Sequence, residues 1–486
     1  RLNVGFDQVS SNFITEFKRG HFGDNLLGDP ASNGARTIDL ETSRQITLDY
    51  AGSWLWEIPG LNDYSFTTSW GGQLNDRQEA GLRGDASGFL TRGNTEAEQA
   101  EEFDNINESY EGFINGGFFV QQQIGWNNQV FITGGVRVDS YNKINAALEA
   151  EPFYQVFPKL QATYTVSDHA WWPADVVETF RLRGAWGTAG DPPSQVAARS
   201  LWQERGTGRN QSGFVINQIG NVDVGPEETQ EFEVGLDASA FAGRLNLSGQ
   251  YFRRETTSGI INLGNAPSFG TEEPTAFNVG EWDTWGYEAT LDANLVDMQD
   301  FRWNFNATYQ FLDNEVNSIG NDLDGTFDID PNATGGFRPG DPFPSVYRRE
   351  IINANEIGQL PQYTDTAVFI GVTVPPQEIS LNTSFQLGSR LTIDLFGFGQ
   401  LGHKLVDNQA LALAEDQLWG ACTEIDNAMA AWRLAGSDEA AVPGFRALDI
   451  ARCDSGANPD TEDWYDDGDY FRFQSAAVQY RLPEDW

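Results

Sequence analysis

Segments of about ten residues in which apolar and polar side chains alternate recur along this chain of 486 residues. The clearest is 379–387, in which Ile379 and Leu381 fall on one side and Ser380 and Asn382 on the other. Because successive side chains of a strand point to opposite faces, this pattern predicts β-strands that separate two different environments. Strands of about 9–11 residues are long enough to cross a bilayer at a tilt. The pattern therefore favours an all-β fold, a transmembrane antiparallel β-barrel with an apolar exterior and a polar interior.

The composition agrees with strands rather than helices as the membrane-crossing elements. Hydrophobic residues make up only 40% of the chain, and no run of 18 apolar residues occurs, so helical membrane spans are excluded. The 51 glycines and 33 phenylalanines fit an all-β protein with many turns and aromatic belts. The alternative is a soluble β-rich protein, whose strands also alternate when one sheet face is solvated.

The chain is strongly acidic, with 71 acidic against 30 basic residues and a formal net charge of −41. Nucleic acid is therefore excluded as a partner, because its phosphates would be repelled. Acidic stretches at 96–104 and 463–469 lie between alternating segments and are interpreted either as solvated loops or as Ca²⁺-binding loops. The segment 322–325 resembles a calcium loop in part, but the spacing would place Gly320 and Pro331 at ligand positions, so the EF-hand pattern fails. No other cofactor or metal site is expected.

The two cysteines, Cys422 and Cys453, both lie in the longest stretch without strand alternation. A disulfide that closes an exposed loop is favoured over free thiols, and it would imply a compartment outside the cytoplasm. Neither cysteine has the spacing of a metal site. The 3 histidines are scattered, and nothing in the sequence combines a nucleophile, a base and an orienting group, so an enzyme is not expected.

About fifteen strands are predicted. Asn75-Asp76 is interpreted as a tight turn between two of them, and Ala242-Gly243 and Gly388-Ser389 as further hairpin turns. The strands include 44–56, 62–74, 78–90, 112–126, 129–141, 155–167, 178–188, 228–241, 243–256, 283–296, 301–316, 378–388, 389–402 and 468–482.

The connections between these strands are unequal in length. One set has two to five residues, whereas the other extends to tens of residues at 190–227, 256–280, 317–375 and 403–467. Short turns at one rim and long extracellular loops at the other are typical of outer-membrane barrels. The Ala/Leu-rich stretch 409–440 predicts a short helix within a loop.

The chain begins directly with the pattern of a strand, without a charged segment followed by an apolar one. Exported barrels need such a signal, so we expect that it has been removed or that the sequence is a segment of a longer chain.

Several stretches form an ordered set of motifs. They are Asn221–Asp237 (NVDVGPEETQEFEVGLD), Phe157–Tyr164 (FPKLQATY), Phe180–Gly190 (FRLRGAWGTAG), Asn278–Glu288 (NVGEWDTWGYE) and Asp469–Phe473 (DYFRF). The first resembles the N-P-x-L-x-x-E-x-T-x-x-x-E-x-G-x-D segment of TonB-dependent receptors, and the others are similar to motifs of the SusC/RagA branch of that family.

The resemblance implies a barrel of about 22 strands, of which residues 1–486 would be a partial domain without plug and last strands. It implies a Gram-negative outer-membrane location and active import of a glycan, a peptide or another large nutrient. The implied partners are a SusD-like surface lipoprotein, TonB acting through the plug, and outer-membrane lipid. Two alternatives remain open, a passive outer-membrane porin and a soluble secreted carbohydrate-binding β-protein.

The alternation also assigns individual side chains. We expect Trp303, Phe305, Ile379 and Leu381 to face lipid, with their polar neighbours Asn304, Asn306, Ser380 and Asn382 facing the lumen. Trp54, Trp56 and Trp186 are expected as interfacial anchors. In the long loops, Trp202 and Trp419 are possible stacking platforms for a sugar ligand, or they pack within the loops.

Overall fold

The computed structural model describes residues 1–17, 34–89, 96–144, 150–194, 196–206, 212–271, 273–320, 335–336, 338–415, 419–453 and 464–482. These ranges form two compact units. The first comprises residues 1–124, 133–158 and 194–223, and the second comprises 125–132, 159–193 and 224–486. Within the described ranges, no helix is both long and apolar enough to span a bilayer.

Strands make up most of the described chain. They are β1 (Leu2–Phe17), β2 (Ala35–Trp56), β3 (Tyr64–Phe89), β4 (Ala100–Trp126), β5 (Val130–Ile144), β6 (Ala150–Thr165), β7 (Val177–Asp191), β8 (Leu201–Gly206), β9 (Ser212–Gln218), β10 (Glu227–Ala240), β11 (Leu245–Leu263), β12 (Thr275–Asp297), β13 (Phe301–Ser318), β14 (Gly335–Gly336), β15 (Ser345–Arg348), β16 (Val368–Val372), β17 (Gln377–Leu387), β18 (Leu391–Leu401), β19 (Lys404–Val406), β20 (Tyr465–Asp467) and β21 (Tyr470–Tyr480).

Fourteen of these strands form one sheet, in the order β1-β2-β3-β4-β5-β6-β7-β10-β11-β12-β13-β17-β18-β21. Neighbours in the sheet are therefore neighbours along the chain, apart from short strands that lie within the long connections. The pairs with a described register are antiparallel. The all-β antiparallel fold predicted from the alternation is confirmed, and the fourteen strands of this sheet are close to the expected fifteen.

In the first unit, the predicted turn at Asn75-Asp76 is wrong. The ladder between β2 and β3 continues through this point, with Asn75 opposite Thr47 and Asp76 opposite Ile46. The predicted strands 62–74 and 78–90 are thus parts of one strand. Asn and Asp favour turns locally, but a turn here would leave the backbone groups of the 22-residue β2 without partners.

In the second unit, the predicted hairpin turns are present. The turn from β10 to β11 has positive φ at Phe241 (58°), Ala242 (58°) and Gly243 (73°), and the turn from β17 to β18 has φ 58° at Gly388. Such turns match the twist of the strands that they join. The long connection predicted at 256–280 is shorter than expected, because β11 extends to Leu263 and β12 begins at Thr275.

The helices lie within the connection from β18 to β21. They are α1 (Asn408–Glu415), α2 (Thr423–Leu434) and α3 (Ala447–Cys453), and α1 and α2 confirm the prediction of helix in 409–440. A hydrophobic cluster of buried residues lies between α2 and α3 and includes Ile425, Met429 and Ile450. A packed core in this connection shows that it is a folded element.

Candidate transport surface

The sheet of the second unit has one polar and one apolar face. Across β13 and β17, Trp303 pairs with Phe385 and Ala307 with Leu381, so the apolar side chains share a face. The rings of Trp303 and Phe385 stack with centroids 5.6 Å apart. The intervening positions pair Asn304 with Ser384 and Asn306 with Asn382 on the opposite face. The register therefore places apolar positions of one strand beside apolar positions of the next, and polar beside polar, so the two faces continue across both strands.

A row of amide and carboxylate side chains crosses the polar face at one level. In register, Gln250 lies beside Glu288, then Gln310, Glu378, Gln400 and Tyr470 on successive strands. Gln250 Nε2 donates to Glu288 Oε2 (2.7 Å), and Gln400 Nε2 donates to Glu378 Oε1 (2.6 Å). The Tyr470 hydroxyl donates to Gln400 Oε1 (2.8 Å). Such a row offers hydrogen-bond donors and acceptors to a polar solute.

Charged side chains extend the polar face over β7, β10 and β11. Arg254 pairs with Glu231 at 2.6 Å, and Arg183 lies 3.7 Å from Asp237. An open groove of about 480 Å³ lies beside the first pair. Its charged and amide side chains come from Lys159, Gln161, Asp191, Glu231, Glu233 and Arg254. Since these ion pairs are partly solvated, each contributes about 0–1 kcal/mol to stability, and their main effect is to line the groove with charge.

The other face of the same strands exposes large apolar side chains. Val234, Leu247 and Tyr287 are 42%, 41% and 52% exposed. Toward the long connections this surface ends at a charged pair, Arg253 and Asp283, whose side-chain atoms lie 2.7 Å apart. An exposed apolar surface of this kind is typical of a region that contacts another protein or a membrane.

Two motifs singled out in the sequence meet at the rim that carries the long connections. Asn278 Nδ2 donates to the carbonyl oxygens of Gly225 (2.9 Å) and Ser258 (2.8 Å), and the Gly225 N–H donates to Asn278 Oδ1 (2.6 Å). Glu227 accepts a hydrogen bond from the Ile260 N–H (2.7 Å) beside an irregularity in the β11–β12 ladder. These side chains fix the path of the connection into β10.

The connection from β13 to β17 is attached to the polar face. Asn314 Nδ2 donates to the Phe343 carbonyl oxygen (2.8 Å), and the Phe343 N–H donates to Asn314 Oδ1 (2.6 Å). The Phe343 ring also contacts Trp282 edge-on, with centroids 5.5 Å apart. Because Asn314 belongs to the polar face by register, the connection folds onto that face beyond the amide–carboxylate row.

The two longest connections pack together into what we call the loop unit, residues 338–376 and the described part of 402–469. Backbone hydrogen bonds join them: Gly358 N–H to Phe445 O (2.9 Å), Ala447 N–H to Glu356 O (2.8 Å) and Leu448 N–H to Ala354 O (3.1 Å). Cys422 and Cys453 form a disulfide that spans 31 residues within it.

Arginine–tyrosine contacts reinforce the loop unit. Arg348 lies over the ring of Tyr465 at 4.7 Å and donates a hydrogen bond to its hydroxyl. Arg338 lies 3.7 Å from the ring centroid of Tyr347, whose hydroxyl donates to Asp341 Oδ2 (2.9 Å). Burial raises the pKa of Tyr347 from 10.0 to about 12, with a further contribution from the Asp341 carboxylate.

The family model described as TonB dependent receptor-like, beta-barrel, matches residues 2–486. The chain belongs to this family. TonB-dependent receptor barrels lie in the outer membrane of Gram-negative bacteria, and so does this one. The relatives that its sequence matches are named as receptors, not as enzymes.

Individual relatives are distant in sequence. TonB-dependent receptor P26 of Formosa agariphila is 21% identical over 255 residues, which are 51% of this chain and 25% of the relative. TonB-dependent receptor P3 of the same organism is 24% identical over 235 residues, 47% and 22% of the two chains. The structure of the RagAB peptide transporter matches with a TM-score of 0.75 and 15% identity, over 100% of this chain and 53% of that chain. The chain thus spans about half of that structure, and the match to P26 covers about a quarter of that relative.

The tryptophans predicted as stacking platforms of this TonB-dependent receptor barrel differ in their surroundings. Trp419 packs against the helical core of the loop unit and lies 5.9 Å from Trp464, ring centroid to centroid. Its ring is therefore used in packing. Trp202, on β8, is 61% exposed and remains a predicted stacking residue.

The four predicted lipid-facing residues share the apolar face, and their contact with lipid stays a prediction. Among the described residues, no group of three or more His, Cys, Asp or Glu is arranged to hold a metal ion. The partial calcium motif at 322–325 lies outside the described residues. In the acidic stretch near residue 467, the Asp467 carboxylate pairs with Lys404 at 2.7 Å.

The clamps at the rim, which are the hydrogen bonds of Asn278 and Glu227, were not predicted from the sequence. Asn278 and Glu227 lie within the motifs that carry the family resemblance. Those motifs were the feature of the sequence that could have pointed to these two residues. Their hydrogen-bond partners could not be read from the motifs, because Gly225 and Asn278 are 53 residues apart in the chain.

Proposed function

We propose that this chain forms part of the wall and the extracellular loops of a TonB-dependent active importer of the SusC/RagA type. Membership of the family over residues 2–486 is the observation that carries the proposal. The polar and apolar faces support it, because an importer needs a hydrated path within a lipid-exposed shell.

In the proposed importer, the apolar face with Trp303, Phe305, Ile379 and Leu381 contacts lipid. The polar face lines the path of the substrate. The amide–carboxylate row and the groove beside Glu231 suit a solute rich in amides or hydroxyls, such as a peptide or a glycan. The RagAB structure is that of a peptide transporter, which makes peptides the first class to test.

The loop unit has the properties of a fixed extracellular structure. Its disulfide, its helical core and its attachment through Asn314 hold it at the rim of the long connections. We propose that it receives the substrate together with a SusD-like surface lipoprotein. Energy would reach the importer from TonB through a plug domain.

Transport measurements distinguish the importer from a passive porin. Cells that produce the full-length receptor are supplied with labelled peptide mixtures or labelled oligosaccharides, with and without a protonophore. The importer is expected to accumulate one class only while the proton-motive force is maintained, and deletion of TonB should have the same effect as the protonophore. Uptake that is unchanged in de-energised cells would instead identify a diffusion pore.

A further inference from the structure

The connection from β6 to β7, residues 166–176, lies at the rim of the short turns of the second unit and carries a cluster of aromatic rings. His169 Nε2 lies 2.5 Å from the Tyr164 hydroxyl, and its ring stacks on Trp171 with centroids 5.7 Å apart. Trp172 stacks on Phe180 at 5.4 Å. We call these five residues the aromatic turn cluster. Trp171 is 68% exposed, so the cluster presents an indole ring to its surroundings.

The cluster continues the apolar face. Tyr164 pairs with Leu182, and Phe180 pairs with Ala238, both positions of that face. The Trp172 indole N–H donates to the Val177 carbonyl oxygen (2.6 Å), so its polar atom is satisfied while its ring stays apolar. The cluster therefore lies where the apolar face ends at the short turns, which in outer-membrane barrels is the periplasmic side.

Neighbouring turns hold the backbone of this connection. Gln129 Nε2 donates to the Asp168 carbonyl oxygen (2.9 Å), and the Thr165 N–H donates to the Gln129 carbonyl oxygen (2.8 Å). On the other side, the Phe241 N–H donates to the Val176 carbonyl oxygen (2.9 Å). The exposed ring of Trp171 is thus presented from a fixed backbone, which lowers the entropy cost of binding.

The negative charge of this segment would favour some lipid headgroups over others. Residues 166–180 contain Asp168, Asp175 and Glu178 and neither lysine nor arginine. Glu178 accepts hydrogen bonds from the Ala242 and Gly243 N–H groups, whereas Asp168 and Asp175 are exposed. An anionic headgroup would be repelled here. An ammonium group would be attracted by the carboxylates and by the face of an indole ring.

We propose that the aromatic turn cluster binds the primary-amine headgroup of a zwitterionic phospholipid in the periplasmic leaflet. The ammonium lies at the Trp171 ring near Asp168 and Asp175, and the glycerol and acyl region lies against Trp172 and Phe180. This inference rests on the proposed contact of the apolar face with lipid.

The test uses the full-length receptor in nanodiscs of equal parts phosphatidylethanolamine and phosphatidylglycerol, with bromine on the acyl chains of one lipid at a time. The emission of Trp171 is obtained as the difference between the wild type and Trp171→Phe. We expect this emission to be quenched about two- to fivefold more by brominated phosphatidylethanolamine than by brominated phosphatidylglycerol. In the Asp168→Asn/Asp175→Asn variant, the ratio should fall to about one.

Two control variants distinguish a failure of the headgroup proposal from a failure of the proposed contact between the apolar face and lipid. Trp202→Phe removes a tryptophan of similar exposure from a long connection, and the emission lost with it should show no preference between the lipids. The emission lost in Trp303→Phe reports whether lipid contacts the apolar face. If Trp303 emission is quenched by both lipids but Trp171 emission shows no preference, or keeps its preference without the two carboxylates, the headgroup proposal is wrong. If neither tryptophan is quenched, the assignment of the apolar face to lipid fails as well.

Discussion

At the scale of single residues, this protein depends on a few polar side chains that join segments distant in sequence. Asn278 makes three hydrogen bonds to two other segments, and Asn314 attaches the loop unit to the polar face. A partly buried amide that satisfies several backbone groups is costly to remove, because each of those groups is then left without a partner.

Replacement of Asn278 by alanine should therefore destabilise the rim. We expect Asn278→Ala to lower the free energy of unfolding by about 1–3 kcal/mol, measured by denaturant unfolding of the purified receptor in detergent. Asn304→Ala, which truncates an exposed side chain of the polar face, is the matched control and should change it by less than about 0.5 kcal/mol. Equal effects of the two substitutions would refute the role of the clamp.

The buried phenol of Tyr347 makes stability depend on alkaline pH. Its folded pKa of about 12 lies above the ordinary 10.0, so the folded state favours the neutral phenol. The resulting stabilisation is complete below pH 10 and is lost as the pH rises through about 12. We expect the melting temperature of the wild type to fall over this range more steeply than that of Tyr347→Phe.

The control for this measurement is Tyr154→Phe, which removes the hydroxyl of an exposed tyrosine. Its melting temperature should follow the wild type across the same pH range. If Tyr347→Phe also follows the wild type, burial of Tyr347 has no consequence for stability at high pH.

At the scale of elements, the long connections behave as folded structures. The sequence predicted helix within 409–440 and favoured pairing of the two cysteines, and the structure contains both. It could not show that residues 354–358 pack against 445–448, because neither segment has a periodic pattern and their contacts join different connections. The uninterrupted strand β3 was missed for the opposite reason, since the turn preference of Asn75-Asp76 was visible and the ladder that overrides it was not.

The disulfide should stabilise the loop unit in particular. Because it closes a loop of about thirty residues, its removal in Cys422→Ser/Cys453→Ser is expected to cost about 3–4 kcal/mol within that unit. Limited proteolysis should then cleave the α1–α3 region faster in the variant, while the heat-modifiable migration of the barrel on gels remains. Equal cleavage of the two proteins would show that the helical core suffices without the disulfide.

At the scale of the whole molecule, the two-sided sheet is the property on which the proposed transport depends. The strand-by-strand register keeps apolar and polar side chains on separate faces across the second unit, although no single strand encodes the face of its neighbours. An introduced charge should therefore destabilise the receptor at one residue of a strand and be tolerated at the next residue.

Leu381 and Asn382, in the middle of β17, provide this comparison. Leu381→Arg should destabilise the membrane-inserted receptor by about 2–4 kcal/mol, because it places a charge against hydrocarbon. Asn382→Arg should be tolerated within about 1 kcal/mol, since its side chain would point into water. The measurement is unfolding in lipid vesicles, and equal losses in the two variants would contradict the proposed orientation of the wall.

The sequence by itself determined most of the strands, their two faces and the family, because alternation with a period of two and short motifs are local signals that survive without knowledge of the fold. Only the tertiary structure decided how these parts meet. The clamp at Asn278, the attachment at Asn314 and the packing of the loop unit join segments separated by tens of residues. Such contacts are set by the geometry of the folded chain, which leaves no periodic trace in the sequence.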